Sequence, residues 1–145
     1  MQRYHSATVR SLVFTGVVLL ITAIPLRETS AQSRESAMSR IEKAIGAGDA
    51  TALAATMSQR VAVAVFGASR EYSKSQAEHV LRKFFAEYPP SRFSVLKHSE
   101  TEQGAFVAGR YRSARLDGEV DLYLRLRDRD GTWELREIII QTEPR

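Results

Sequence analysis

His79 and His98 are the histidines beyond residue 31, and histidine is the side chain most used to move protons in catalysis. His79 follows Glu78 off the apolar stripe of a helical stretch, which puts it in solvent. His98 ends a stretch that alternates like a strand, and it is a candidate polar site. Glu137 is another candidate. It lies where the apolar alternation of the last strand changes phase, so it is a buried acid, the ion-pair partner of Arg136, Arg110 or Arg112, or simply exposed at a bulge. Tyr72, Tyr111, Tyr123 and Trp133 combine an apolar body with a polar handle, which suits a pocket mouth as well as a packed core. The candidate pocket set is Tyr72, His98, Tyr111, Trp133 and Glu137.

Enzymic use of these groups would need an acid and a base within hydrogen-bond reach of one substrate. The stretch Val61 to Phe66 carries no polar side chain. Val120, Leu122, Leu124 and Leu126 share one face of a strand with no carboxylate among them. No catalytic residue is assigned. Two histidines without cysteine fall short of a metal site, so no metal and no cofactor is expected. The absence of cysteine also excludes disulfides, thiol nucleophiles and a lipid anchor on cysteine.

Arg110, Arg112, Arg115, Arg125, Arg127, Arg129 and Arg136 crowd the second half of the chain. Glu119, Asp121, Asp128 and Glu134 are interleaved with them, so a solvated face of cross-strand ion pairs is expected, and no nucleic-acid partner. A charged face of this kind suits a monomer or a weak dimer.

The start of the chain reads as an address. Arg3 and Arg10 precede an uncharged apolar run, Leu12 to Ile24, which Pro25 ends. Small residues, Thr29-Ser30-Ala31, then come before Gln32, the expected cleavage junction. The run of thirteen residues is short against the ~20 of a membrane span, so no stable span is expected after cleavage. Residues 1–31 are read as a signal peptide and 32–145 as a single domain that is periplasmic or secreted and not a lipoprotein. The leader holds three arginines and one glutamate, so the whole-chain charge of +4 falls to +2 for the remainder. Hydrophobic content of 43% and charged content of 26% are ordinary for a globular domain.

Helical spacing of Ala37, Ile41 and Ile45 predicts a helix over 33–45, stopped by Gly46 and Gly48. Asp49 is the expected cap of a short helix over 50–57. Val61 to Phe66 is a buried strand, and Arg70 to Ser73 a short return strand. Ser75 and Glu78 form the expected capping box of a long helix. Its stripe is Ala77, Val80, Leu81, Phe84, Phe85 and Tyr88, and Pro89-Pro90 ends it. The period then becomes two. Strands are expected over 92–98, 105–112, 119–127 and 132–141, with Asp117-Gly118 the strongest hairpin signal and a further turn at Asp130-Gly131. A β-bulge at Glu137 would explain the change of phase in the last strand, as would cover on both sides of Ile138 to Ile140 without a bulge. Helices gathered on one face of an antiparallel sheet make an α+β domain.

Tyr72-Ser73-Lys74-Ser75-Gln76-Ala77 leading into Phe84-Phe85, then Pro89-Pro90, Phe93, Gly109-Arg110-Tyr111 and Glu137-Ile138, resemble one bacterial family. That family is domain of unknown function 4783, in the nuclear-transport-factor-2-like superfamily, and the resemblance runs from about Ile41 to Ile140. It implies a small exported protein of unknown biochemistry. It also implies a strongly curved antiparallel sheet wrapped around helices, often leaving a conical pocket. Two positions depart from the family pattern: Ser99 follows His98 where a glycine is expected, and Glu119 stands where a basic residue is expected.

The expected function is a non-catalytic exported domain that binds a small apolar ligand in the cone, or a protein partner. The alternatives are an isomerase- or cyclase-like enzyme using the cone, and an assembly module that dimerises through its sheet. Expression of the full chain in a bacterial host is expected to yield periplasmic protein whose Edman sequence starts at Gln32. Cytosolic protein that retains Met1 would contradict the leader.

Overall fold

The computed structural model describes residues 30–101 and 104–142. Most of the expected leader lies outside these residues, and Ala31 and Gln32 fall in the first turn of the first helix. Among the described residues no helix is long and apolar enough to cross a membrane.

Helix α1 (Ser30–Ala47) buries Ala37, Ile41, Ala44 and Ile45 along one stripe. Gly48 stops it at φ +65°. The Gly48 N–H donates to the Ile45 carbonyl at 3.0 Å and the Asp49 N–H to the Ala44 carbonyl at 2.9 Å, which is a Schellman ending. A Cβ at Gly48 would also lie 2.9 Å from Pro90 Cδ, so glycine is needed on both counts. Asp49 then caps α2 (Ala50–Ala55), its Oδ1 accepting from the Ala52 N–H at 2.9 Å, as expected.

Strand β1 (Met57–Val65) begins four residues earlier than its apolar pattern indicates, and β2 (Arg70–Ser73) matches its expected bounds. Helix α3 (Lys74–Glu87) is capped by Ser73, not Ser75. Ser73 Oγ accepts from the Gln76 N–H, and Gln76 Oε1 accepts from the Ser73 N–H at 3.0 Å. Gln76 therefore has the reciprocal role expected of Glu78. Glu78 instead accepts from Thr51 Oγ1 at 2.8 Å and pairs with Arg82, tying α3 to α2.

The remaining strands are β3 (Arg92–Glu100), β4 (Gly104–Arg112), β5 (Glu119–Arg129) and β6 (Thr132–Thr142). They form one sheet in the order β2-β1-β6-β5-β4-β3. Every neighbouring pair is antiparallel except β1 and β6, which run parallel. Asp130 and Gly131 have φ of +53° and +83°, and Arg129 pairs with Thr132, so this is the two-residue primed hairpin. Asp117-Gly118 is not. The last β4–β5 pair is Arg112 with Glu119, which leaves a loop over 113–118. That loop is long because it buries Ser113, packs Leu116 on the core and turns Arg115 onto the carbonyls of Ala86 and Glu87 at the end of α3, at 3.4 Å each.

The expected bulge in β6 is present. Leu135 pairs with Leu126 and Glu137 with Arg125, leaving Arg136 as the extra residue. A second bulge, not foreseen, leaves Leu96 extra in β3, between the Val95–Gly109 and Lys97–Ala108 pairs. It interrupts an edge strand that would otherwise present an unbroken ladder.

The helices cover the inner face of the sheet. Val120, Leu122, Leu124 and Leu126 point inward with at most 3% exposure, beside Leu135, Ile138 and Ile140. Phe84 and Phe85 are 3% and 5% exposed. Phe84→Ala is expected to cost about 3–5 kcal/mol in urea unfolding. Gly109→Ala is expected to cost about 1–3 kcal/mol, because its Cβ would lie 2.7 Å from the Phe93 ring and 2.9 Å from the Ser94 carbonyl. Unchanged midpoints would show that these contacts relax freely.

Candidate functional site

The inner side of the cone is closed by aromatic rings. Phe84 lies 5.2 Å from Tyr111, 5.5 Å from Phe85 and 5.6 Å from Tyr88 between ring centroids. Tyr111 is fully buried, and its hydroxyl donates to the Tyr88 carbonyl. Trp133 is also buried, with the Arg34 guanidinium 5.4 Å over its ring and its indole Nε1 unpartnered among the described residues. Arg34 continues to Glu100 at 2.7 Å, so the start of α1 is strapped across one end of the sheet.

The five candidate residues do not converge. Tyr72 pairs in register with Val61 and packs half-buried at the margin of the core. Tyr111 and Trp133 are core residues. The His98 side chain is 66% exposed on β3, 3.8 Å from Glu100. Glu137 is on the opposite face of the sheet, and its partner is Arg125 at 3.1 Å, not Arg136, Arg110 or Arg112. The bulge accounts for that pairing, since it turns Glu137 outward beside its register partner on β5.

A groove of about 500 Å³ crosses that outer face. All six strands contribute to it: Glu71 from β2, Arg60 and Ala62 from β1, Arg136 and Glu137 from β6, Arg125 and Arg127 from β5, Phe106 from β4 and Ser99 from β3. The register explains the convergence. Glu71, Ala62, Glu137, Arg125, Phe106 and Ser99 are successive partners in one row across the sheet. Ala62 and Phe106 supply apolar surface, and the Phe106 ring stacks on Tyr123 at 5.9 Å and 21°.

The charges of the groove are partly cancelled. Arg60 pairs with Glu71, and Arg125 with Glu137. Further along the outer face, Arg112 reaches Glu119 at 3.5 Å and Arg110 reaches Asp121 at 3.1 Å. Arg127 and Arg136 make no ion pair among the described residues. The cross-strand ladder expected from the mixed charges therefore forms, but it leaves two of the groove's own guanidiniums over. Arg127 and Arg136 enter the sequence reading only as members of the solvated charged face, and Phe106 does not enter it. Their signal is the outward parity of β4 and β5 combined with the bulge, and only the strand register brings them to one place.

A family model described as Domain of unknown function (DUF4783) matches residues 38–141. The chain belongs to that family. A DUF4783 protein of Bacteroides ovatus has a crystal structure similar to this one at 20% identity and TM-score 0.67, over 73% of this chain and 94% of its own. One from Bacteroides uniformis is similar at 19% identity and TM-score 0.68, over 74% and 97%. An NTF2-like protein of unknown function from Shewanella oneidensis is similar at 16% identity and TM-score 0.60, over 78% and 99%. No curated protein matches the chain. The fold is the NTF2-like cone, α+β as expected, and the DUF4783 domain here has its aromatic rings inside the cone and its groove outside.

Burial raises the Tyr111 phenol well above the ordinary tyrosine range. The folded state therefore keeps a proton that the unfolded chain gives up near pH 10, so this contribution to stability is full below about pH 10 and is lost as pH rises above it. Tyr111→Phe is expected to cost about 1–2 kcal/mol at neutral pH, by leaving the Tyr88 carbonyl without its donor. It is also expected to flatten the alkaline fall in melting temperature. An alkaline limb that is identical in the variant would contradict this account.

Proposed function

We propose that this DUF4783 domain is an exported, non-catalytic binding module that takes a small amphipathic anion in its outer-face groove. The observation that carries the reading is the pair Arg127 and Arg136, two guanidiniums beside an apolar floor with no carboxylate partner among the described residues. A volume of about 500 Å³ is within the ~300–1,000 Å³ typical of small-molecule sites.

Support for a non-catalytic role comes from where the polar groups are. The inner face offers Leu, Val, Ile and aromatic side chains, and the carboxylates of Glu119, Asp121 and Glu137 are held by arginines on the outer face. Acid–base chemistry needs such groups converging on one substrate. Export is supported by the order of basic, apolar and small residues before Gln32. The small apolar ligand first expected in the cone thus becomes an anion with an apolar body, bound on the other side of the sheet.

Thermal unfolding and calorimetric titration of the purified protein test this reading. Benzoate and phenyl phosphate are expected to raise the melting temperature, and benzyl alcohol at the same concentration is not. Combining Arg127→Ala with Arg136→Ala is expected to abolish the shift while leaving the melting temperature of the free protein within a few degrees, because both residues are exposed. Indifference to both anions, or a shift that survives the double variant, would overturn the assignment.

A further inference from the structure

The β6 bulge does more than repair a phase change. Without it, Leu135 and Glu137 would share the inner face and Arg136 alone would point outward. With it, consecutive residues Arg136 and Glu137 both serve the outer groove. Glu137 is taken up by Arg125 on the neighbouring strand at 3.1 Å. Arg136 is thereby left unneutralised near Arg127, which lies two positions along β5 from Arg125. Glu134 is the register partner of Arg127, yet no ion pair links them, so the Arg127 guanidinium is free to turn to the groove.

Two free guanidiniums have a charge preference that one does not. A monocarboxylate can satisfy one fork bidentately and leaves the second uncompensated. A phosphate monoester carries close to two negative charges at neutral pH and three acceptor oxygens, enough for both forks at once. Ser99 adds a hydroxyl at the rim. The Phe106 ring is 40% exposed, and its other face is backed by Tyr123. It offers a flat platform to a planar group.

Resting on the proposed anion site, we infer that the ligand is a phosphate monoester bearing a flat ring, its phosphate shared between Arg127 and Arg136 and its ring on Phe106. A phosphatidic acid headgroup offers the same phosphate monoester without the ring, so the experiment separates the two.

Isothermal titration of the purified protein with phenyl phosphate, benzoate and inorganic phosphate provides the test. Phenyl phosphate is expected to bind at least about tenfold more tightly than benzoate, and more tightly than inorganic phosphate. Arg127→Ala and Arg136→Ala are each expected to weaken phenyl phosphate about tenfold or more. Arg136→Lys is expected to recover only part of that loss, because an ammonium keeps the charge without the fork. Phe106→Ala is expected to weaken phenyl phosphate and leave inorganic phosphate unchanged. Co-sedimentation with phosphatidylcholine vesicles doped with phosphatidic acid reports the source. Vesicle binding that requires Arg127 and Arg136 but survives Phe106→Ala assigns the monoester to a lipid and overturns the ring, and its absence alongside phenyl phosphate binding assigns it to a soluble ring-bearing molecule. Benzoate equal to or tighter than phenyl phosphate would overturn the phosphate assignment while leaving the anion site standing. No binding of either would remove both.

Discussion

Strand β6 is the element on which both faces of this domain depend. It is held between β1, its parallel partner, and β5, its antiparallel one. A single extra residue, Arg136, changes its parity part-way along. Before the bulge, Trp133 and Leu135 point to the helices, and after it Ile138 and Ile140 do. Without that change half of the strand would turn Ile138 and Ile140 to solvent and bury Glu137. The core gains two fully buried isoleucines, and the outer face gains two adjacent charged side chains.

The inner face spends its space on packing. Tyr111 reaches across to the Tyr88 carbonyl just where α3 ends, and Phe84 and Phe85 fill the volume beneath it. Gly109 lets the Phe93 ring lie on the β4 backbone, closing the same region from β3. The loop over 113–118 covers the end of α3 and sends Arg115 to its last carbonyls. These contacts make the cone a scaffold that holds the sheet in its curve. A rigid sheet is what fixes a row of side chains drawn from six strands on the far side.

Local signals made most of the elements legible, and tertiary ones did not. The apolar stripe of α3, the alternation of β5 and the phase change at Glu137 each follow from short-range periodicity, and each holds in the fold. Two errors came from near-equivalent local choices. Ser73 and Ser75 both offer a capping hydroxyl, and the reciprocal bond to Gln76 decides for Ser73. Asp117-Gly118 and Asp130-Gly131 both offer a primed turn, and the burial of Ser113 together with the packing of Leu116 decides against the first. The Leu96 bulge had no apolar phase change to announce it, because β3 is an edge strand with much of its length in water.

The groove was illegible for a different reason. Seven arginines interleaved with acids read correctly as a salted face, but a count of charges does not say which of them pair. Pairing is set by register, and register is set by bulges and by turn length. Arg125 meets Glu137 only because Arg136 is extra, and Arg110 meets Asp121 only because β4 and β5 join through a loop of the observed length. Of the arginines left without an ion pair among the described residues, Arg127 and Arg136 are the two that line the groove, a remainder of this arithmetic and not a motif. A site built in this way is carried by exposed side chains on a scaffold whose core does not involve them. Its binding chemistry can therefore change, by one substitution at Arg127, Arg136 or Phe106, without changing the cone.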